Sequence, residues 1–183
     1  MTAPSPERLA AIRLLIVDVD GVLTDGRIIY DSEGRETKVF HVRDGAAIKQ
    51  LRHSGLEIGI ITGRASPMVD RRASELGVTA VLQGAEDKFR AFEALQAKTP
   101  GWDGIPLNQC ACIGDDLADL ALFDHFGLRL TVADAHPAVI AAADWVSALP
   151  GGAGVMREVA ELLLRHTPTP AIDGLNPLRP PSR

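Results

Sequence analysis

The chain has 183 residues, of which 46% are hydrophobic and 23% charged, and its formal net charge is −5. This length is typical of one domain with a substantial core, and the acidic balance excludes general nucleic-acid binding, because no basic run offsets it. No apolar stretch reaches the length of a membrane span and no secretory signal is evident, so we expect a cytoplasmic protein with no membrane partner.

Apolar runs alternate with amphipathic segments along the chain, and this alternation predicts an α/β fold. We expect a doubly wound, Rossmann-like parallel sheet with helices on both faces. The first helix begins at Pro6, after the capping residue Ser5. In chain order, the predicted strands of the sheet cover residues 13–18, 56–61, 80–82, 110–113, 128–132 and 145–146, and the later helices cover 45–53, 66–77, 88–98, 117–126, 137–143 and 155–165.

A small β-hairpin is predicted between the first two strands of the sheet. Its own strands cover residues 27–30 and 36–41, and a glycine-containing turn joins them. We therefore expect a single domain over residues 1–166, with a hairpin insertion at about 26–41. Residues 167–183 are rich in proline and lack apolar periodicity, which predicts a mobile C-terminal tail.

Three of the predicted strands end in polar residues that suit phosphate or metal chemistry. The first ends at Asp18 and Asp20, the second at Thr62, and the fourth at Asp115. Open α/β sheets place their active sites at the carboxyl ends of the strands. Two carboxylates there suit a hard cation and the separate roles of nucleophile and acid/base catalyst. The first pair alone is equally compatible with a capped loop, but three such strand ends in this order favour a functional site.

These motifs resemble those of the haloacid dehalogenase-like phosphatases. The resemblance rests on residues 18–26, Thr62, Lys88 and residues 114–119. Further segments at 42–45, 132–137 and 151–154 are similar to the cap-less members of that family that act on 3-deoxy-D-manno-octulosonate 8-phosphate. The resemblance implies Mg²⁺-dependent hydrolysis of this sugar-acid phosphate, through an aspartyl-phosphate intermediate, in lipopolysaccharide biosynthesis. It also implies a homotetramer in which a neighbouring subunit completes each active site.

The resemblance assigns roles to the residues at the strand ends. Asp18 is the expected nucleophile and Asp20 the expected acid/base catalyst. The Mg²⁺ ligands are expected at Asp18, the Asp20 carbonyl and Asp115. Thr62 and Lys88 are expected to bind the transferring phosphoryl group. Taken alone, Lys88 is an ordinary surface lysine, and only its position between the motifs suggests a role.

The substrate-binding prediction adds Gly63 and three arginines to Thr62 and Lys88. Arg64, directly after Gly63, is the candidate for the substrate carboxylate, because a guanidinium group matches a carboxylate in shape and charge. Arg72 and Arg157 are weaker candidates, since each is equally well explained as a solvated helix arginine.

Several alternatives remain open at this point. One interpretation of Asp119 is that it orients a neighbouring residue or a metal-bound water. The other is that it is an acid at a helix N-terminus, stabilised by the helix dipole, and the same two interpretations apply to Asp116. Asp44 is interpreted as the cap of the following helix, and a supporting role beside the active site is the alternative. Within the class, the rival is a phosphatase of nonulosonate 9-phosphates, although such relatives tend to carry glutamate in place of Arg64. Outside it, the rivals are a non-catalytic assembly module and a phospho-accepting receiver domain, neither of which needs the full set of site residues.

Overall fold

The computed structural model describes residues 4–165, and these form eight strands and seven α-helices. The strands are β1 (Leu14–Val17), β2 (Ile29–Tyr30), β3 (Glu36–Thr37), β4 (Glu57–Thr62), β5 (Ala80–Gln83), β6 (Cys110–Gly114), β7 (Leu128–Thr131) and β8 (Trp145–Val146). The helices are α1 (Pro6–Ala10), α2 (Val42–His53), α3 (Pro67–Leu76), α4 (Lys88–Gln96), α5 (Leu120–Phe123), α6 (Pro137–Ala142) and α7 (Val155–Leu164).

Six of the strands form one parallel sheet in the spatial order β5-β4-β1-β6-β7-β8. The chain adds β4 and β5 on one side of β1 and then returns to add β6, β7 and β8 on the other. This reversal is the topological switch point of a doubly wound sheet, where such folds bind their ligands. The predicted Rossmann-like fold is confirmed, and the carboxyl ends of β1 and β6 lie next to each other at the switch point.

Strand β1 is the centre of the core because all four of its residues are apolar and it pairs on both edges. Its side chains are no more than 1% exposed, as expected for a strand covered on both faces. The helices pack into two groups, α1, α2, α3 and α7 in one and α4, α5 and α6 in the other, as two layers against a sheet require. Within residues 4–165, no helix is long and apolar enough to cross a membrane.

The predicted hairpin is present as the antiparallel pair β2–β3, but both of its strands are shorter than expected. Apolar side chains at its tip and base are exposed: Ile28 by 50%, Tyr30 by 59% and Val39 by 65%. The proposed tail at 167–183 lies outside the described residues, and the single-domain boundary stays a prediction.

Two helix starts differ from the sequence prediction. Helix α2 begins three residues early, at Val42, because His41 caps it by accepting the Arg43 N–H at its Nδ1. The prediction that Asp44 is this cap was wrong: Asp44 Oδ1 accepts the Met156 N–H at 2.8 Å and so caps α7. The helix predicted over 117–126 is divided into a 3₁₀ turn and the short α5, because Asp116 and Asp119 hold that turn through reciprocal bonds.

Candidate active site

Three carboxylates meet at the switch point. Ligand oxygens of Asp18, Asp115 and Asp119 lie within 4.8 Å of one another. Asp18 follows β1 and is fixed by its own N–H, which donates to Ile113 O at 3.1 Å. Asp115 follows β6, the neighbouring strand. Motifs that are far apart in the sequence therefore bring their carboxylates together at one edge of the sheet.

A buried lysine lies between two of these acids. Lys88 Nζ is 2.6 Å from Asp119 Oδ1 and 3.0 Å from Asp18 Oδ1, and its side chain is 4% exposed. Lys88 is the first residue of α4, after Asp87, whose carboxylate accepts the N–H groups of Phe89 and Arg90. The cap thus fixes the start of α4 where its first side chain enters the acidic cluster.

Asp119 is fully occupied by internal contacts. Its Oδ1 accepts from Lys88, and its Oδ2 accepts the backbone N–H groups of Asp115 and Asp116 at 3.0 and 3.2 Å. These bonds orient the lysine and the Asp115 loop, so the geometry favours the orienting interpretation of Asp119 over a direct metal ligand. The exposed Asp116 caps the 3₁₀ turn through Leu117 N–H.

Asp115 keeps an oxygen without a partner. Its Oδ1 is buried and receives no hydrogen bond from the described residues. The opposite side of the carboxylate packs on Gly21, where a Cβ atom would lie 2.0 Å from Asp115 Oδ2, and Gly21 has a left-handed φ of 96°. Only glycine therefore lets the loop after Asp20 approach this carboxylate. An unpaired buried carboxylate oxygen facing other oxygens suits a hard cation.

Burial and mutual repulsion raise the pKa values of the acids. The pKa of Asp18 rises to about 6, first because of burial and then because of Asp119, while Lys88 acts in the opposite direction. The pKa of Asp115 rises to about 7, first because of burial and then because of the negative charges of Asp18 and Asp119, of which Asp18 has the larger effect. Burial alone would lower the pKa of Lys88, but Asp18 and Asp119 outweigh it and raise the pKa. A cation in this cluster would remove the repulsion.

Asp20 does not join the carboxylate cluster. Its Oδ1 accepts hydrogen bonds from Lys38 and, at 3.3 Å, from Thr24 Oγ1. Its Oδ2 is buried with no hydrogen-bond donor in the part of the chain that the structure describes, and Arg64 Nε lies 4.0 Å away. The sequence analysis missed Lys38 and its neighbour Glu36, because charged residues in a short polar hairpin give no signal of burial.

The end of β4 supplies the next group of predicted residues. Thr62 is the last residue of the strand and is buried, and Gly63 and Arg64 follow it. The Arg64 guanidinium donates to Glu36 at 3.0 Å and remains 41% exposed. It therefore lies beside Asp20 with part of its surface open to a ligand.

The other two predicted arginines make contacts between elements. Arg72 donates to His41 O at 3.3 Å and stacks over the Phe40 ring, so it joins α3 to the start of α2. Arg157 donates to Gln50 Oε1 at 2.7 Å and joins α7 to α2. These contacts account for both side chains without a substrate, and their binding role stays a prediction.

The glycine-rich segment 151–154 packs on the loop that carries Asp20. Gly152 N–H donates to Val22 O at 2.9 Å, and a Cβ atom at Gly151 would lie 2.0 Å from Gly21 O. Gly151 N–H in turn donates to Asp134 Oδ1 at 2.9 Å. The segment is thus a close-packed support of the Asp20 loop.

Comparison with known proteins agrees with this geometry. Residues 81–159 match the model of the haloacid dehalogenase-like hydrolase family. The chain is 46% identical over 153 residues to the 3-deoxy-D-manno-octulosonate 8-phosphate phosphatase of Escherichia coli K12, covering 84% of this chain and 79% of that protein.

Solved structures show the same relationship. The crystal structure of 3-deoxy-D-manno-octulosonate 8-phosphate phosphatase from Moraxella catarrhalis, in complex with magnesium, phosphate and KDO, is 44% identical. It superposes with a TM-score of 0.83 over 88% of this chain and 91% of that one. The cobalt-bound deoxy-D-mannose-octulosonate 8-phosphate phosphatase from Haemophilus influenzae is 39% identical with a TM-score of 0.81, over 87% and 91% of the two chains.

The chain therefore belongs to the haloacid dehalogenase-like hydrolases. Within that family it is an enzyme that hydrolyses phosphate monoesters. The rival interpretations as a non-catalytic assembly module and as a receiver domain are set aside.

Proposed function

We propose that this enzyme hydrolyses 3-deoxy-D-manno-octulosonate 8-phosphate to the free sugar acid and phosphate. The observation that carries the proposal is the 46% identity to the Escherichia coli phosphatase of that substrate over 84% of the chain. The product is a sugar acid of lipopolysaccharide, which makes the cytoplasm of a Gram-negative bacterium the expected setting.

The chemistry proceeds in two displacements at phosphorus. Asp18 attacks the phosphorus atom, the bond from phosphorus to the sugar oxygen breaks, and Asp20 gives that oxygen a proton. Water then attacks the aspartyl phosphate and releases inorganic phosphate, and Asp20 takes the proton from that water. Lys88 lies 3.0 Å from Asp18 Oδ1, which favours the ionised carboxylate that the first step requires.

The acidic cluster fits a magnesium ion. The donors in the cluster, Asp115 Oδ1 and the nearby Asp18 carboxylate, are all oxygens, which suit Mg²⁺. Gly21 allows the loop after Asp20 to approach them closely. We assign the ligands to Asp18, Asp115 and the Asp20 carbonyl, with Asp119 orienting the loop. When bound, the ion neutralises the phosphate and the two carboxylates around it.

The remaining side chains bind the substrate. Lys88 supplies a fixed positive charge for the transferring phosphoryl oxygens, and Thr62, at the end of β4, supplies a hydroxyl. Arg64 remains partly exposed next to Asp20, so it is the group that we assign to the substrate carboxylate.

The test is a phosphate-release assay on a panel of sugar phosphates, with and without Mg²⁺ and after treatment with EDTA. We expect the eight-carbon sugar-acid 8-phosphate to have the highest kcat/KM and to require Mg²⁺. A higher kcat/KM for a nonulosonate 9-phosphate would show that the rival substrate is correct. Undiminished activity after exhaustive chelation would contradict the magnesium site.

We also propose that the active enzyme is a homotetramer with shared active sites. The proposal is supported by the exposed apolar residues of the hairpin and by its two-stranded sheet, whose edges are available for pairing. No described segment is long enough to cover Asp18 as a lid domain, so a neighbouring subunit would have to exclude water there. Sedimentation equilibrium tests this: a fully active monomer at assay concentration would contradict it.

A further inference from the structure

A hairpin lysine is buried against the acid/base candidate. The Lys38 side chain is only 2% exposed, although the apolar residues around it in the hairpin are largely exposed. Its ammonium group donates a hydrogen bond to Asp20 Oδ1 and lies 3.7 Å from Glu36 Oε1. Burying an ammonium group is unfavourable unless it is paired and hydrogen-bonded, so the burial of Lys38 depends on these carboxylates.

The two oxygens of Asp20 have different surroundings as a result. Oδ1 receives hydrogen bonds from Lys38 and Thr24, which lie on different segments of the chain. Oδ2 is buried and receives none from residues 4–165, with Arg64 Nε at 4.0 Å. Two donors on one oxygen restrict rotation of the carboxylate, and the other oxygen is the one that no described donor occupies.

We infer that Lys38 is a positioning residue that holds the Asp20 carboxylate with Oδ2 directed at the leaving oxygen of the substrate. The inference rests on the proposed function, because it takes Asp20 as the acid/base catalyst. As the bond between phosphorus and the ester oxygen breaks, Oδ2 delivers its proton to that oxygen. When water attacks the aspartyl phosphate, Oδ2 takes a proton from the water. Lys38 acts through Asp20 throughout and exchanges no proton with the substrate.

Dependence on the leaving group tests this role directly. A poor leaving group needs its proton during bond cleavage, whereas p-nitrophenolate departs readily without one. The experiment measures kcat/KM of the wild type and Lys38→Met for the sugar-acid 8-phosphate and for para-substituted phenyl phosphates. Methionine keeps the length and packing of the side chain but cannot donate to Asp20.

We expect Lys38→Met to lose activity selectively. The loss in kcat/KM is expected to be on the order of 10-fold or more for the sugar-acid phosphate and phenyl phosphate, within the range that general acid catalysis contributes. For p-nitrophenyl phosphate it is expected to be roughly threefold or less, since little acid catalysis is needed. The plot of log(kcat/KM) against the leaving-group pKa should therefore be steeper in the variant.

The matched control is Lys49→Met, which removes a lysine from the exposed surface of α2 and should leave the plot unchanged. An equal loss for all substrates in Lys38→Met would overturn the inference, because disturbed folding or phosphate binding affects every substrate alike. If Lys38→Met does not fold, the same ratio of losses is measured for Lys38→Gln. A wild type that cannot hydrolyse the sugar-acid phosphate would refute the proposed function instead, which keeps the two failures distinct.

Discussion

The contact between the 151–154 segment and the Asp20 loop predicts that Gly151→Ala impairs catalysis. The new Cβ atom would lie 2.0 Å from Gly21 O and 3.0 Å from Thr24 O, both of which are backbone atoms. Ordinary contact begins at 3.4 Å, so the Asp20 loop must move away by roughly 1 Å or more, a misplacement that can lower a rate about 10²-fold.

The assay compares kcat/KM and the melting temperature of Gly151→Ala with those of the wild type. We expect kcat/KM for the sugar-acid phosphate to fall about 100-fold, and the free energy of unfolding to fall by ~1–3 kcal/mol from overpacking. Gly104→Ala is the matched control, because its Cβ atom would meet nothing within 4 Å and its φ is not left-handed. A folded Gly151→Ala enzyme with nearly normal kcat/KM would refute the reasoning, since it would show that the Asp20 loop can move without loss of catalysis.

Three further predictions concern the site and the fold. Asp18→Asn should keep the fold and abolish phosphate release, because an amide cannot form the aspartyl phosphate; release near the wild-type rate would contradict the assignment. The pKa values of Asp18 and Asp115 in the folded protein, about 6 and about 7, lie above the value near 4 of aspartate in the unfolded chain. Ionisation of these two acids therefore destabilises the metal-free fold as the pH rises above about 4. Mg²⁺ should therefore raise the melting temperature more at pH 8 than at pH 5.5, and differential scanning fluorimetry showing no such difference would count against the site. The pKa of Asp144 falls to about 2, because its hydrogen bonds to Arg129 and Arg8 outweigh the effect of burial. The ionised Asp144 therefore stabilises the fold above pH ~4, and this contribution is lost as the pH falls toward 2. Asp144→Asn should thus reduce the free energy of unfolding at pH 7 by ~1–3 kcal/mol, allowing for the partly exposed arginines, and urea denaturation would measure it.

The sequence determined the sheet and two members of the main cluster, Asp18 and Asp115. Four consecutive buried apolar residues followed by Asp18 specify a central strand with a carboxylate at its end, and this depends only on local pattern. Because strands alternate with helices, the carboxyl ends of β1, β4 and β6 must lie at the same edge. The proximity of Asp18 and Asp115 follows from that topology, and the structure adds the 4.8 Å limit on their separation.

Only the tertiary structure decided which partner each polar atom takes. Asp44 caps a helix 112 residues away, and no local signal distinguishes that role from capping its own helix. Lys38 and Gly151 appear in sequence as a hairpin lysine and a loop glycine, yet one is buried against Asp20 and the other against the loop that carries it. Local pattern sets which segments form strands and helices, whereas hydrogen bonds between distant residues depend on how whole elements pack. The sequence therefore predicted the residues at the strand ends of this enzyme, but it did not predict the contacts that hold Asp20 and its loop in place.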